Sequence, residues 1–353
     1  NAPRPMHSAE RAYSDEAVIQ ELRLVSNTEG LFDWIAGVFY RDQDTRSQQV
    51  NYLRNYYNWA WTAWGCCVLG DDDFRYDRQE NFKDSAVFGE LTWNISDEFR
   101  LTGGFRYFDL DYTNDTFMGV GLYEAFHVDE QVYLEGSDSD TLFKINAAFD
   151  VNDETMLYGT ISEGFRRGGT NAVPLSGTFA ESPAWLSYGP DTTTNYEVGI
   201  KGTWNNSFYN ASVFYVDWED IQLNTATTNW AFYAAQNGSS ATTKGVELEY
   251  DLAFGEGWRL NLVYAYTEGE MDEVMCSADD VYIVAQAGAR LPGLAEHTVN
   301  AMLEYAVEIG GGIQWVNRIS GYYQSETKNS ISDTSAFFSA EMGDFSLWDF
   351  NSN

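Results

Sequence analysis

Residues able to make or break bonds are few and scattered. His7, His127 and His297 stand far apart, and none lies near a cysteine or carboxylate at metal-ligand spacing. Cys66 and Cys67 are adjacent and Cys276 is remote, so the Cys-x-x-Cys spacing of redox and zinc sites is missing and no disulfide framework is expected. There is no Gly-x-Ser-x-Gly elbow and no phosphate-binding glycine loop. No catalytic residue, metal ligand or cofactor is therefore expected, and the chemistry on offer is binding. Three clusters could bind. Asn51 to Trp64 concentrates Tyr56, Tyr57, Trp59, Trp61 and Trp64, whose rings could stack on a sugar, a catecholate or an extended organic ligand. The same rings could instead pack against neighbouring loops and stiffen them. Arg166 and Arg167, ahead of Gly168 and Gly169, could grip an anionic ligand or a lipid phosphate, while the glycine pair more simply marks a bend. Asp71, Asp72, Asp73 and Asp77 could offer oxygens to a hard cation, but without the order of an EF-hand loop they read more simply as solvated acids.

Such clusters need a scaffold, and the intervening pattern provides one. From Val87 to Ile95 the apolar Val87, Leu91, Trp93 and Ile95 alternate with Glu90, Thr92 and Asn94, the period of a strand with one wet face. After Ser96-Asp97-Glu98 the alternation resumes, with Phe99, Leu101, Phe105 and Tyr107 opposed to Arg100, Thr102, Gly104 and Arg106, which predicts a hairpin. The same unit predicts strands near 17–26, 32–44, 82–95, 99–113, 139–151, 155–165, 192–204, 208–222, 237–252, 258–270, 294–306, 313–324 and a partial one from 344. Most exceed the roughly five or six residues of soluble strands.

The connections alternate as well. Short turns such as those at Asn152-Asp153-Glu154 and Asn205-Asn206-Ser207 are followed by long polar segments at 45–81, 114–138, 166–191, 223–236, 271–293 and 325–343. A membrane barrel imposes this rule, because tight turns line one rim and long loops extend from the other. Trp93, Phe99, Trp204, Phe208 and Trp258 flank the short turns, as an interfacial aromatic girdle would. No window approaches the ~20 apolar residues of a spanning helix. The 353 residues carry 20 Lys and Arg against 54 Asp and Glu, a net charge of -34, so nucleic acid is a poor partner. The expected fold is all-β: a transmembrane antiparallel up-and-down barrel.

Leu157-Tyr158-Gly159-Thr160-Ile161-Ser162-Glu163-Gly164-Phe165-Arg166-Arg167-Gly168-Gly169-Thr170-Asn171 closely resembles a segment in the barrels of TonB-dependent outer-membrane receptors. Further similar pieces follow in family order: Gln20 to Leu24 with Asp33-Trp34 and Gly37 to Tyr40, Asn195 to Lys201, Lys244 to Glu249, and Pro292 with Glu296 to Asn300. The resemblance implies a bacterial outer-membrane location and a barrel of about 22 strands around a plug domain, with some 12–13 strands present here. It implies energised uptake of a small-molecule nutrient, most often a ferric siderophore. A carbohydrate or other organic ligand, a passive porin and a barrel enzyme are the alternatives. The implied partners are the ligand, outer-membrane lipid with lipopolysaccharide, and the TonB energy-coupling complex, reached through N-terminal sequence not seen here. On this resemblance residues 1–353 are one barrel domain, incomplete at both ends and lacking the plug.

Overall fold

The computed structural model describes residues 6–27, 30–65, 67–121, 123–229, 232–332 and 340–353. One antiparallel sheet of 13 strands dominates it. In chain order these are β1 (Met6–Val25), β2 (Phe32–Arg54), β3 (Asp72–Asn94), β4 (Phe99–Val120), β5 (Val128–Asn152), β6 (Thr155–Arg166), β7 (Asp191–Trp204), β8 (Ser207–Glu219), β9 (Ala241–Phe254), β10 (Trp258–Met271), β11 (His297–Gly310), β12 (Ile313–Gln324) and β13 (Phe345–Ser352). Each pairs with its neighbours in sequence, and β1 and β13 are the two edges. The short connection between β1 and β2 and the short turns at 95–98, 153–154, 205–206, 255–257 and 311–312 share one rim, and the long connections share the other. The turns use left-handed residues, among them Asn205, Gly255 and Gly257. A Cβ on Gly257 would sit 1.9 Å from the Ala306 carbonyl oxygen, so that turn requires glycine. Among the described residues no helix is long and apolar enough to cross a membrane, which says nothing of strands.

The two faces of the sheet differ in chemistry as the alternation predicts. On one face Trp34 sits beside Leu91, Val38 beside Val87, and Ile161 beside Tyr196. On the other, Lys144 bonds Glu90 (3.1 Å), Arg100 bonds Asp150 (2.6 Å), Arg259 bonds Asp251 (3.0 Å) and Arg318 bonds Glu304 (2.6 Å). Glu247 pairs with Ala265 while Val246 pairs with Tyr266, so the glutamates face away from the apolar row. A lipid-facing and a water-facing surface in a membrane barrel must differ in this way. Aromatic rings bound the apolar band. Phe32 and Trp93 (6.1 Å between centroids) and Trp258 and Tyr305 (4.6 Å) mark the turn side, and Tyr196 and Tyr215 (6.3 Å) mark the loop side. The step from Phe32 to Tyr40 covers about 27 Å along the strand, which a ~40° tilt reduces to about 20 Å, close to the apolar height of such barrels.

Strand height divides the sheet into two halves. β1 to β5 have 20, 23, 23, 22 and 25 residues, whereas β6 and β7 have only 12 and 14. The expected loops 45–81 and 114–138 are therefore largely strand: Asp44 pairs with Asn81 and Gln48 with Asp77, and Asn114 pairs with Leu134. Above the apolar band the outer face of β1 to β5 meets water and the inner face meets water and other loops, so the hydrophobic period fades although the backbone ladder continues. Asp72, Asp73 and Asp77 consequently lie on β3.

Candidate ligand-binding site

The long loops of the short half fold inward against the polar face of the tall half. Phe165, at the top of β6, stacks on Phe108 of β4 with centroids 3.8 Å apart. Phe232 meets Phe74 of β3 at 5.8 Å. Asn114 donates to Thr170 at 2.6 Å, and the Leu175 amide donates to Glu130 at 2.8 Å. Two polar nodes hold these loops to each other. Asn171 donates through Nδ2 to the carbonyls of Trp185 (2.9 Å) and Ala235 (2.7 Å) and accepts from the Ala235 amide at 3.0 Å. Asp191, only 1% exposed, accepts from Arg166 Nε (3.0 Å), Trp218 Nε1 (2.9 Å) and the Gln222 amide (3.0 Å). Burial pushes this carboxyl up, but the bonds from Arg166, Gln222 and Trp218 outweigh it and hold it below the usual carboxylate range.

Between the loops and the tall strands lies a pocket of about 580 Å³. Arg11, Asp73 and Arg78 supply its charge, and Phe74, Tyr76 and Tyr233 its rings. Amides come from Gln49, Asn51, Asn171 and Asn224. Arg11 makes no ion pair among the described residues, and Arg78 Nε is buried without a hydrogen-bond partner there. The Asp73 carboxyl is pushed up by burial and drawn down less strongly by His7, whose Nε2 lies 3.7 Å away. In a chain of net charge -34, the lining of this mouth is locally reversed: two guanidiniums face one hindered carboxyl, with Glu80, 3.9 Å from Arg78, lying outside the lining. Arg78 and Tyr76 alternate with Asp77 on β3, a period-two signal in a stretch expected to be loop. Arg11 and Asn171 carried no comparable signal, because long-range folding alone brings them together.

The expected aromatic cluster forms a helix, α1 (Tyr56–Trp64), at the tip between β2 and β3. Its rings divide into two sets. Tyr56 is buried and contacts Trp59 (5.6 Å), Trp64 (6.2 Å) and Tyr123 (5.9 Å). Burial, with the hydrogen bond to Tyr123, pushes the Tyr56 phenol up to about 12. Tyr57 and Trp61 pair with each other at 6.0 Å and face solvent, as does Trp64, which touches Tyr56 and Trp59 from the exposed edge. None of the five rings lines the 580 Å³ pocket. Asp71 accepts from the amides of Asn55 (3.0 Å) and Tyr57 (2.7 Å), and so satisfies the helix start from across the loop. Asp77 accepts from Arg46 (2.9 Å) and Gln48 (2.8 Å). Arg166 is engaged by Asp191. Arg167 turns inward, its guanidinium carbon 3.4 Å from the Phe82 ring centroid, with Nη1 buried and unpartnered among the described residues. Burial, and then the like charge of Arg41, pull its pKa down. Among the described residues no three His, Cys, Asp or Glu side chains are placed to hold a metal ion. Cys67 is disulfide-bonded and Cys276 is free, whereas Cys66 lies outside the described residues.

Comparison with known proteins matches residues 6–353 to the family model described as TonB dependent receptor-like, beta-barrel. The pesticin receptor of Yersinia enterocolitica is 27% identical over 173 residues, 49% of this chain and 24% of that protein. The ferripyoverdine receptor of Pseudomonas aeruginosa is 30% identical over 129 residues, 35% of this chain and 15% of that protein. The crystal structure of the ferric yersiniabactin uptake receptor of Yersinia pestis superposes with a TM-score of 0.75 at 15% identity, covering 98% of this chain and 47% of that one. The matched part of the chain thus spans a quarter or less of these curated relatives and just under half of the solved structure.

Proposed function

The chain belongs to the TonB-dependent receptor-like β-barrel family, and from that premise we propose that it serves an outer-membrane receptor that captures a ferric chelate for energised uptake. The pocket with Arg11 and Arg78 carries this reading. Chelating oxygens lose their protons to iron, so many ferric chelates are anionic, and two incompletely engaged guanidiniums suit such a charge. The rings of Phe74, Tyr76 and Tyr233 would cover the organic frame of the chelate. The name of the ferripyoverdine receptor supports the same class of cargo. An inner-membrane energy-coupling complex and outer-membrane lipid, lipopolysaccharide included, complete the proposed partners. Tyr57 and Trp61 on α1 would make the first, external contacts. Tyr56 and Trp59 support them from within that cluster and Trp64 from its exposed edge, Arg166 braces the rim, and Arg167 extends the inward positive charge.

A second reading has its own observation. Four amide side chains, Gln49, Asn51, Asn171 and Asn224, line the same pocket, and amides with aromatic faces also suit a neutral glycan. Titration of the intact protein with ferric catecholate and ferric hydroxamate complexes, and with oligosaccharides, by intrinsic fluorescence distinguishes the two. The first reading expects chelate binding that weakens with added salt and falls about ten-fold for Arg11→Ala or Arg78→Ala. Saturable oligosaccharide binding insensitive to salt and to both substitutions would replace it with the second.

A further inference from the structure

The outward face of β5 to β8 carries a second feature, away from the pocket. β5 pairs with β6 only as far as Lys144 and Ser162, although β5 itself continues to Val128. A seam therefore opens in the wall on the loop side. Below it lies an apolar trough of about 540 Å³, with Ala147 and Gly159 as its floor and Ile161, Tyr196, Val213 and Tyr215 around it. Its volume falls within the ~300–1,000 Å³ of small-molecule sites. One step along each strand towards the loops, the chemistry changes. Ile161 is followed by Glu163, Tyr196 by Thr194, and Tyr215 by Asp217, with Glu163 and Asp217 both in register with Thr194. These residues, with Thr192, Glu219 and Asp140, line a cleft of about 360 Å³ that continues the trough. No Lys or Arg makes an ion pair with Asp140, Glu163, Asp217 or Glu219 among the described residues, although Glu163 accepts from the Phe143 amide (2.9 Å) and Asp140 from the Thr141 amide (2.7 Å), and their carboxylates are not gathered around a point that one metal ion could occupy.

We propose that this face binds a membrane lipid with an ammonium-bearing head group, its chain lying in the trough and its head in the acidic cleft. Tyr196 and Tyr215 place the junction at the loop-side girdle, where head groups reside. Charge complementarity selects the head: a purely anionic head would meet four carboxylates without a cationic partner, whereas an ammonium is attracted by them and the Thr192 and Thr194 hydroxyls complete its polar surroundings. The inference rests on the membrane placement of the sheet and is independent of the cargo. It is tested on the intact protein in neutral maltoside micelles, using nitroxide-labelled octadecylamine and nitroxide-labelled octadecanoic acid, with the immobilised fraction read by electron spin resonance. The unaltered protein should immobilise the amine in preference to the acid. Combined Glu163→Gln, Asp217→Asn and Glu219→Gln should reduce amine retention about three- to ten-fold, the scale of a few exposed charge contacts, and abolish the preference. Gly159→Leu is a second, independent variant: a Cβ there meets nothing closer than 3.8 Å, so a side chain can branch from this position into the trough and should displace both probes. Equal retention of amine and acid, a preference that survives the triple substitution, or amine retention unchanged by Gly159→Leu would overturn the proposal.

Discussion

Replacement of Asp191 by Leu tests how the loops above the barrel are held. The carboxylate accepts from Arg166, Trp218 and the Gln222 amide while 1% exposed. Leucine is of similar length but offers no acceptor, so the Oδ2 position that takes both the indole N–H and the Gln222 amide is lost. The Arg166 side chain is 50% exposed, so water can re-solvate it and its share of the loss is small. The indole N–H and the Gln222 amide are less able to do so, and each buried donor left unpaired costs about 1–3 kcal/mol. A total of about 2–6 kcal/mol follows. The strand ladders do not depend on Asp191, so this destabilisation should be confined to the loops. Amide hydrogen exchange in the intact, detergent-solubilised protein should therefore accelerate by about 30-fold or more across 167–190 and 220–240, if opening there is local, with β2 to β5 unchanged. Unaltered exchange in those loops, or acceleration spread evenly over the strands, would refute the view of Asp191 as their shared anchor.

The same carboxyl predicts a pH dependence. Its folded pKa lies below the unfolded value of about 3.9, so its contribution is complete above that value and is lost as pH falls through the folded pKa; acid titration followed by tryptophan fluorescence should show a low-pH loop transition that Asp191→Asn removes. Leu91→Arg, on the apolar face, should lower barrel assembly of the intact protein in lipid vesicles by up to about 2–4 kcal/mol, whereas Glu90→Gln on the opposite face should not, as judged by yield of heat-resistant barrel. Trp59→Ala should loosen α1 by about 1–3 kcal/mol through lost burial, seen as protease sensitivity near 56–64, while Trp61→Ala should leave proteolysis unchanged and weaken ligand binding by about 1 kcal/mol.

The barrel wall was legible because the membrane enforces a period of two: Leu91 against Thr92 and Val246 against Glu247 have no alternative assignment once one face meets lipid. The height of β1 to β5 was not, since Asp44, Gln48 and Asn81 pair in water, where no face need be apolar. The helical form of the aromatic cluster was also hidden. It relies on Asp71 capping from the far end of the loop and on Gly65 in the left-handed conformation at its end, neither of which leaves a periodic trace. At Arg166 the sequence showed a cation before a glycine bend, but its partner Asp191 lies 25 residues on, across a loop whose path no local rule specifies. The pocket was least legible of all, because Arg11 on β1, Arg78 on β3 and Asn171 in a distant loop converge only when the short half of the barrel folds against the tall half.

The central claim is capture of a ferric chelate for energised uptake, and radiolabelled iron accumulation measures it most directly. Cells carrying the intact protein as their sole receptor of this kind should accumulate iron from a bound chelate, should stop when the membrane potential is collapsed, and should take up much less with Arg11→Ala and Arg78→Ala combined. Intact protein correctly inserted in the outer membrane that accumulates no iron from any chelate class, or that does so equally without membrane potential, would contradict the account.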